Sequence, residues 1–201
     1  MEPFTTFKSV GIPIDIVNCD TDQIIPARFL RKPRTHSDYH KYLFHDLRFN
    51  SDGSEKQDFI FNRSPYRNGR IIIANRNWGC GSSREHAVYV LIENGIRAVI
   101  APSFGDIHYN NCMKQGVLPV QLSQETCDGL RARMHEQPGA EITIDLEQQT
   151  VTGHDGATIT FNIAPFDKYR MVRGIDDLRM TMQFEDEVAA FEKNRADYGW
   201  L

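Results

Sequence analysis

Eight consecutive positions of this chain hold Gly79, Cys80, Gly81, Ser82, Ser83, Arg84, Glu85 and His86, between an apolar run and an amphipathic one. Ser82 followed three residues later by Glu85 fits a capping box, in which the serine accepts from a first-turn amide and the glutamate reciprocates. That reading uses one serine and leaves the rest of the cluster unexplained. Gly79 and Gly81 bare the backbone on either side of Cys80, and Arg84 puts a cation in the first turn, where the helix dipole disfavours it. A cation set against the local field answers an anion. Bare amides, dipole and Arg84 together predict a carboxylate or phosphate at this helix end.

Other chemistries fit less well. The dinucleotide fingerprint needs a third glycine where Arg84 stands and an acidic residue after the next strand, and both are missing. No Gly-Lys-Ser/Thr occurs, which removes a Walker loop. Cys80 with His86 could be written as nucleophile and base, but a cysteine between two glycines is more often simply small. His36 and His40 have the i, i+4 spacing of a shared metal site, yet Pro33, Thr35 and Ser37 oppose the helix this requires. Arg28, Arg31, Lys32, Arg34, Lys41 and Arg48 form a basic run that is either a solvated face or a complement to Ser82 and Arg84 for a substrate with two carboxylates.

The elements that must position these residues follow from periodicity. Residues 7–17 alternate as one or two strands broken at Gly11 and Pro13, followed by a turn and a short helix starting near Gln23. Residues 50–69 are polar and turn-rich and predict a surface excursion. Residues 70–74 are a β-branched run suited to a buried strand, residues 82–94 a helix closed by Gly95, and residues 96–104 a second buried strand. This is a βαβ unit, with parallel strands and a right-handed crossover. Beyond it come a short helix from Gly105, a strand at 117–122 and a helix capped by Ser123. Period-two alternation around His154-Asp155-Gly156 gives a hairpin, and a C-terminal helix carries Phe184, Val188 and Phe191 on one face.

A chain of 201 residues, 40% hydrophobic and 25% charged, is expected to be one domain over residues 1–201 with a real core. Its longest apolar runs are too short to span a bilayer, and no secretory leader is recognisable, so a cytoplasmic location is expected. Cys19, Cys80, Cys112 and Cys127 are scattered without a C-x-x-C pair, which argues for reduced thiols and against a cluster held by this chain alone. The net charge of −4 speaks against an RNA-binding role.

"NWGCGSSREHA", with "DTDQIIPARFL" and "LFHDLRF" upstream and "IAPSFGDIHYNN" downstream, resembles the 3-isopropylmalate dehydratase small-subunit family, over nearly the whole chain. The resemblance implies an α/β aconitase-type swivelling domain, in β/β/α layers with a mostly parallel sheet and an added C-terminal hairpin and helix. It implies a hydro-lyase that interconverts 2- and 3-isopropylmalate through 2-isopropylmaleate in leucine biosynthesis. Such a chain is active only with a large subunit, in a heterodimer or heterotetramer, and the [4Fe–4S] cluster is carried by that partner. Carried over position by position, Ser82 is the base and Arg84, with backbone amides that include Gly81, stabilises the developing negative charge. Ser83 binds substrate, and Asp22 orients a group across the subunit interface. Arg34 matches the substrate-binding arginine best, with Arg28 and Arg31 as alternatives, and the loop that begins at Leu30 chooses the substrate's side group. "AVYV" after His86, Trp78, and a loop at 31–42 poor in glycine depart from the family pattern. These leave methylmalate, dimethylmalate and maleate-type diacids open as substrates, and an anion- or nucleotide-binding module as the rival of another class.

Overall fold

Ile71, Ile72, Ile73 and Ala74 have no exposed surface, because they form a central strand covered on both faces. The computed structural model describes residues 1–195. Its strands are β1 (Thr6–Ile14), β2 (Ile71–Ala74), β3 (Ala98–Ala101), β4 (Leu118–Gln121), β5 (Glu141–Asp145), β6 (Thr150–Thr152) and β7 (Thr158–Thr160). The α-helices are α1 (Thr21–Ile24), α2 (His45–Arg48), α3 (His86–Glu93), α4 (Asp106–Gln115), α5 (Gln124–Glu136), α6 (Pro165–Arg173), α7 (Asp177–Met182) and α8 (Glu185–Arg195). All seven strands share one sheet in the order β4-β3-β2-β1-β5-β6-β7. From β1 to β4 neighbours run parallel, and β5, β6 and β7 extend the β1 edge as an antiparallel meander.

Alternation along each strand builds two cores. Ile12, Ile14, Ile72, Ala74, Val99 and Ala101 face one side, where α3 and residues 39–66 cover them. Ile71, Ile73, Ala98, Ile100, Leu118, Val120, Ile142 and Ile144 face the other, under Cys127, Leu130 and Met134 of α5. The expected βαβ unit is present as β2-α3-β3.

Strand β1 is one strand, not two. It pairs with β5 from Thr6 to Val10 and with β2 from Gly11 to Ile14, so Pro13 falls where the β5-side edge is already unpaired and no ladder donor is missed. A Cβ on Gly11 would lie 2.7 Å from Met134 Sδ and 2.8 Å from Ile73 Cδ1, so the glycine lets α5 lie against the sheet. The meander needs two turns in place of the one hairpin expected: residues 146–149 join β5 to β6, and His154-Asp155-Gly156 lies in the turn to β7.

Residues 50–69 are more than a surface excursion, since Phe61, Asn62 and Tyr66 are buried and the Tyr66 hydroxyl donates to the Met134 carbonyl. Turn composition hides these anchors. Ser123 caps α5 as expected, accepting from Thr126 N at 3.1 Å. The C-terminal helix forms, but Val188 and Phe191 on it, and Phe184 in the turn before it, remain exposed.

Candidate active site

The loop from Asn77 to Ser82 leaves the carboxyl end of β2 and is held between the segments that follow β1 and β3, the crevice where α/β sheets usually bind ligands. On the β1 side Gly79 N donates to Cys19 O (2.8 Å), Thr21 N to Cys80 O (2.9 Å) and Thr21 Oγ1 to Ser82 O (3.1 Å). On the β3 side Trp78 N donates to Ser103 O (3.0 Å) and Gly105 N to Trp78 O (2.8 Å). The loop therefore behaves as an irregular extension of the parallel sheet.

Gly79 and Gly81 both take left-handed conformations, φ 70° and 91°. For Gly81 the reason is backbone conformation alone, since the nearest atoms to an added Cβ would lie 3.5 Å away. Gly79 is doubly constrained: an added Cβ would lie 2.2 Å from His108 Cδ2. His108 is buried beneath the loop, with neither ring nitrogen hydrogen-bonded among the described residues, and burial pushes its pKa down to about 4.

The helix begins later than expected. Its N-cap is Glu85, without a side-chain cap, and α3 runs from His86. The Ser82–Glu85 capping box is not formed, because Ser82 lies too far upstream in the loop, and the Glu85 carboxylate accepts instead from the Tyr89 hydroxyl at 2.6 Å. The capping box that does form joins Asp20 and Gln23 at α1. Ser82 and Ser83 are exposed.

Arg84 does face an anion, and it belongs to the same chain. Its Nη1 and Nη2 donate to Asp22 Oδ1 and Oδ2 at 2.5 and 2.8 Å, and Nη2 lies 3.4 Å from Ser82 Oγ. Arg84 is 15% exposed and Asp22 54% exposed at the side chain. Hydrogen bonds from Arg84 hold the Asp22 carboxyl below its usual range, against a smaller desolvation effect, and Ala27 N adds a third donor at 3.1 Å. Asp22 thus engages a group of its own chain, the Arg84 guanidinium. Helix α1 supplies Asp22, and the loop ahead of α3 supplies Ser82 and Arg84.

The other expected site residues lie apart from this pair. Arg34 donates to Glu93 Oε1 at 2.7 Å and covers the Tyr89 ring at 4.9 Å, on the far turns of α3. Arg28 pairs with Asp46. Leu30 is half-buried after the 3-10 turn Ala27–Phe29 and packs against the core. His36 and His40 are engaged locally, His36 Nδ1 accepting from Asp38 N (3.1 Å) and His40 Nδ1 lying 3.1 Å from Ser37 O. Cys80 Sγ donates to Asn18 O at 3.4 Å, and burial, then the Asp20 charge, pushes its thiol pKa up, the wrong direction for a nucleophile.

Among the described residues no three His, Cys, Asp or Glu side chains converge as metal ligands. The thiols do not fit an iron–sulfur cluster. Cys19, Cys112 and Cys127 are buried, with pKa values raised chiefly by desolvation, Cys19 to about 12 and Cys127 to about 11.

A mixed sheet with a glycine-bent, arginine-bearing tip at the end of β2 defines a domain of the aconitase C-terminal class, and the Aconitase C-terminal domain family model matches residues 1–125. A second model, LeuD_N, matches residues 128–165. The 3-isopropylmalate dehydratase small subunit of Paramagnetospirillum magneticum is 46% identical over 195 residues, covering 97% of this chain and 96% of that protein. That of Rhodopseudomonas palustris strain BisB18 is 44% identical over 201 residues, covering 100% of both. A crystal structure of 3-isopropylmalate dehydratase from Methanocaldococcus jannaschii shares the fold, with a TM-score of 0.64 at 24% identity over 94% of this chain and 99% of that one. The chain belongs to the 3-isopropylmalate dehydratase small-subunit family.

Proposed function

We propose that this chain is the small subunit of a hydro-lyase that isomerises 2- and 3-isopropylmalate through 2-isopropylmaleate in leucine biosynthesis. Full-length similarity to proteins of that name supports the reaction class. The observation that carries the site assignment is the Arg84 guanidinium, held by Asp22 with Nη2 3.4 Å from the Ser82 hydroxyl.

Ser82 takes the proton from the carbon alpha to a carboxylate as the neighbouring carbon loses hydroxide, and the electron pair becomes the double bond of the unsaturated diacid. A serine hydroxyl is too weak a base in water. A fixed cation at its oxygen, in a site that assembly closes to solvent, makes the alkoxide accessible. Asp22 keeps the guanidinium plane oriented, and Arg84, the Gly81 amide and Ser83 receive the substrate's carboxylate. Arg34 reaches substrate only by releasing Glu93, and the loop from Leu30 moves with it, bringing a side-group contact into the assembled site.

In this reading residues 1–201 act as one swivelling domain, since strands from both parts of the chain share one sheet. The [4Fe–4S] cluster is held by a large subunit, in a heterodimer or heterotetramer. The four free thiols agree with a cytoplasmic setting, and no described helix is long and apolar enough to cross a membrane.

The test is anaerobic mixing with cluster-loaded large subunit, following the absorbance of the unsaturated intermediate. Isopropylmalate should give the highest kcat/KM. A preference for methylmalate, dimethylmalate or maleate-type diacids would move the substrate assignment, and no turnover of any diacid would reject the reaction class.

A further inference from the structure

At the opposite end of α3 from Ser82, a cavity of about 580 Å³ is lined by His40, Lys41, Arg48, Phe49, Glu55, Phe61, Arg67 and Arg70, together with residues 92–95. The eight residues of α3 span ~12 Å at ~1.5 Å each, so this cavity is separate from the catalytic tip. Two members of the basic run, Lys41 and Arg48, reach it.

Both carboxylates in the lining are already engaged. Glu55 Oε1 accepts from Arg67 Nη1 at 3.1 Å, and Glu93 accepts from Arg34 at 2.7 Å. Lys41 is paired with Asp38 outside the cavity. Arg48 and Arg70 make no salt bridge among the described residues. Arg48 is only 7% exposed. It donates through Nε to Asn62 Oδ1 (3.1 Å) and through Nη1 to Leu43 O (3.4 Å) and His40 O (3.5 Å), leaving Nη2 without a protein acceptor among the described residues. Arg70 gives one bond, Nη1 to Gly69 O at 2.8 Å. Burial lowers the Arg48 pKa to about 10, with the Glu55 charge opposing the shift and the Arg67 charge adding to it. Asn94 Nδ2 donates to Val90 O (2.8 Å) and His40 O (2.9 Å), so the end of α3 is partly closed by a side-chain donor. A desolvated guanidinium without a carboxylate is costly unless something supplies the missing charge.

We propose that this cavity binds a small organic dianion, a phosphate monoester or a dicarboxylate. Its charged group bridges Arg48 Nη2 and Arg70, and its carbon skeleton lies along the Phe49 ring. Two guanidinium groups match the geometry of either oxyanion, and the volume suits a ligand of metabolite size. The binding is independent of the catalytic reading.

Isotope-labelled full-length chain, in a buffer free of polyvalent anions, is titrated with inorganic phosphate and separately with succinate, following the backbone amides of Asn94 and Gly95. At least one probe should shift both amides in a saturable 1:1 manner. Arg70→Gln should weaken that binding by about tenfold, Arg48→Lys should weaken it also, and Arg84→Gln should leave it unchanged. Circular dichroism checks that Arg48→Lys folds, and Arg70→Gln carries the test if it does not. The proposal is overturned if neither probe saturates by roughly 50 mM, or if Arg84→Gln abolishes binding while Arg70→Gln spares it. Whichever probe binds more tightly identifies the oxyanion.

Discussion

Asp22 and Arg84, 62 positions apart in the chain, meet through two parallel hydrogen bonds of 2.5 and 2.8 Å. The cation that the cluster needs is thereby fixed in direction before any partner or substrate arrives. The carboxylate that fixes it also occupies the face a substrate carboxylate would use. A diacid must share that guanidinium or displace Asp22 from it.

Asp22→Asn should remove orientation while keeping size. With the large subunit present, kcat should fall by roughly ten- to a hundredfold, in the range of losing a charge-assisted pair, with the fold intact by circular dichroism. Unchanged kcat would deny Asp22 a positioning role. In the wild-type chain the ionised carboxylate is favoured by folding. Its stabilisation is complete above the unfolded value near 3.9 and is lost as pH falls through the lower folded value. The side chain is more than half exposed, so the effect on stability is small. A carboxyl titration by NMR should place Asp22 below ~3.9, and a midpoint above that value would contradict the pair in solution.

Ser82→Ala separates catalysis from capping. A cap would cost about 1 kcal/mol, but Glu85 is the N-cap residue of α3 and Ser82 does not contribute. The variant should therefore unfold at the wild-type denaturant midpoint and assemble normally, yet lose at least about a hundredfold in turnover. Near-normal turnover in the mixed complex would remove Ser82 as base.

The two loop glycines should respond unequally. Gly81→Ala meets only an unfavourable φ and should cost about 1 kcal/mol. Gly79→Ala adds the clash with His108 and should cost about 2–4 kcal/mol by urea unfolding. Adding His108→Ala to Gly79→Ala should recover part of the loss. Equal penalties for the two single variants would mean that His108 does not press on the loop.

His108→Phe tests the same contact from below. Replacing a buried ring that has no hydrogen-bond partner among the described residues by an apolar ring of similar shape should be neutral or stabilising at pH 7. The folded pKa is lowered to about 4, whereas the unfolded chain takes up the proton near 6.5. Stability due to this residue is therefore full above ~6.5 and declines as pH falls toward ~4, because the unfolded state binds the extra proton. Unfolding free energies at several pH values should show that slope in the wild type and a shallower one in the variant. Identical slopes would exclude a buried neutral imidazole.

The parts of this fold that rest on local pattern are legible in the amino-acid order itself. Ile71–Ala74 and Ala98–Ala101 are apolar runs bounded by turns, Gly95 closes the intervening helix with φ 73°, and Ser123 caps α5. Of the site, Gly79 to Arg84 announce an anion-seeking tip through a cation placed against the field. The partner Asp22 cannot be found by spacing, because the contact is made by folding across 62 positions. Arg34 with Glu93 escapes for the same reason, at 59 positions. The capping box at Ser82 fails because a four-residue motif is silent on where the loop ends: Ser82 is tied by its carbonyl to Thr21, which holds it out of the helix. Phe61 and Tyr66 are hidden among turn residues, and nothing in a local window marks such anchors.

Strand β1 changes neighbours at Gly11, giving its first half to the meander and its second half to the strands that end at the reactive loop. The two jobs of the sheet are thus insulated along a single ribbon. Grafts or length changes in the exposed connection at 154–157 should be absorbed locally, so an engineer wishing to tether, label or immobilise this subunit has a handle that leaves the chemistry undisturbed.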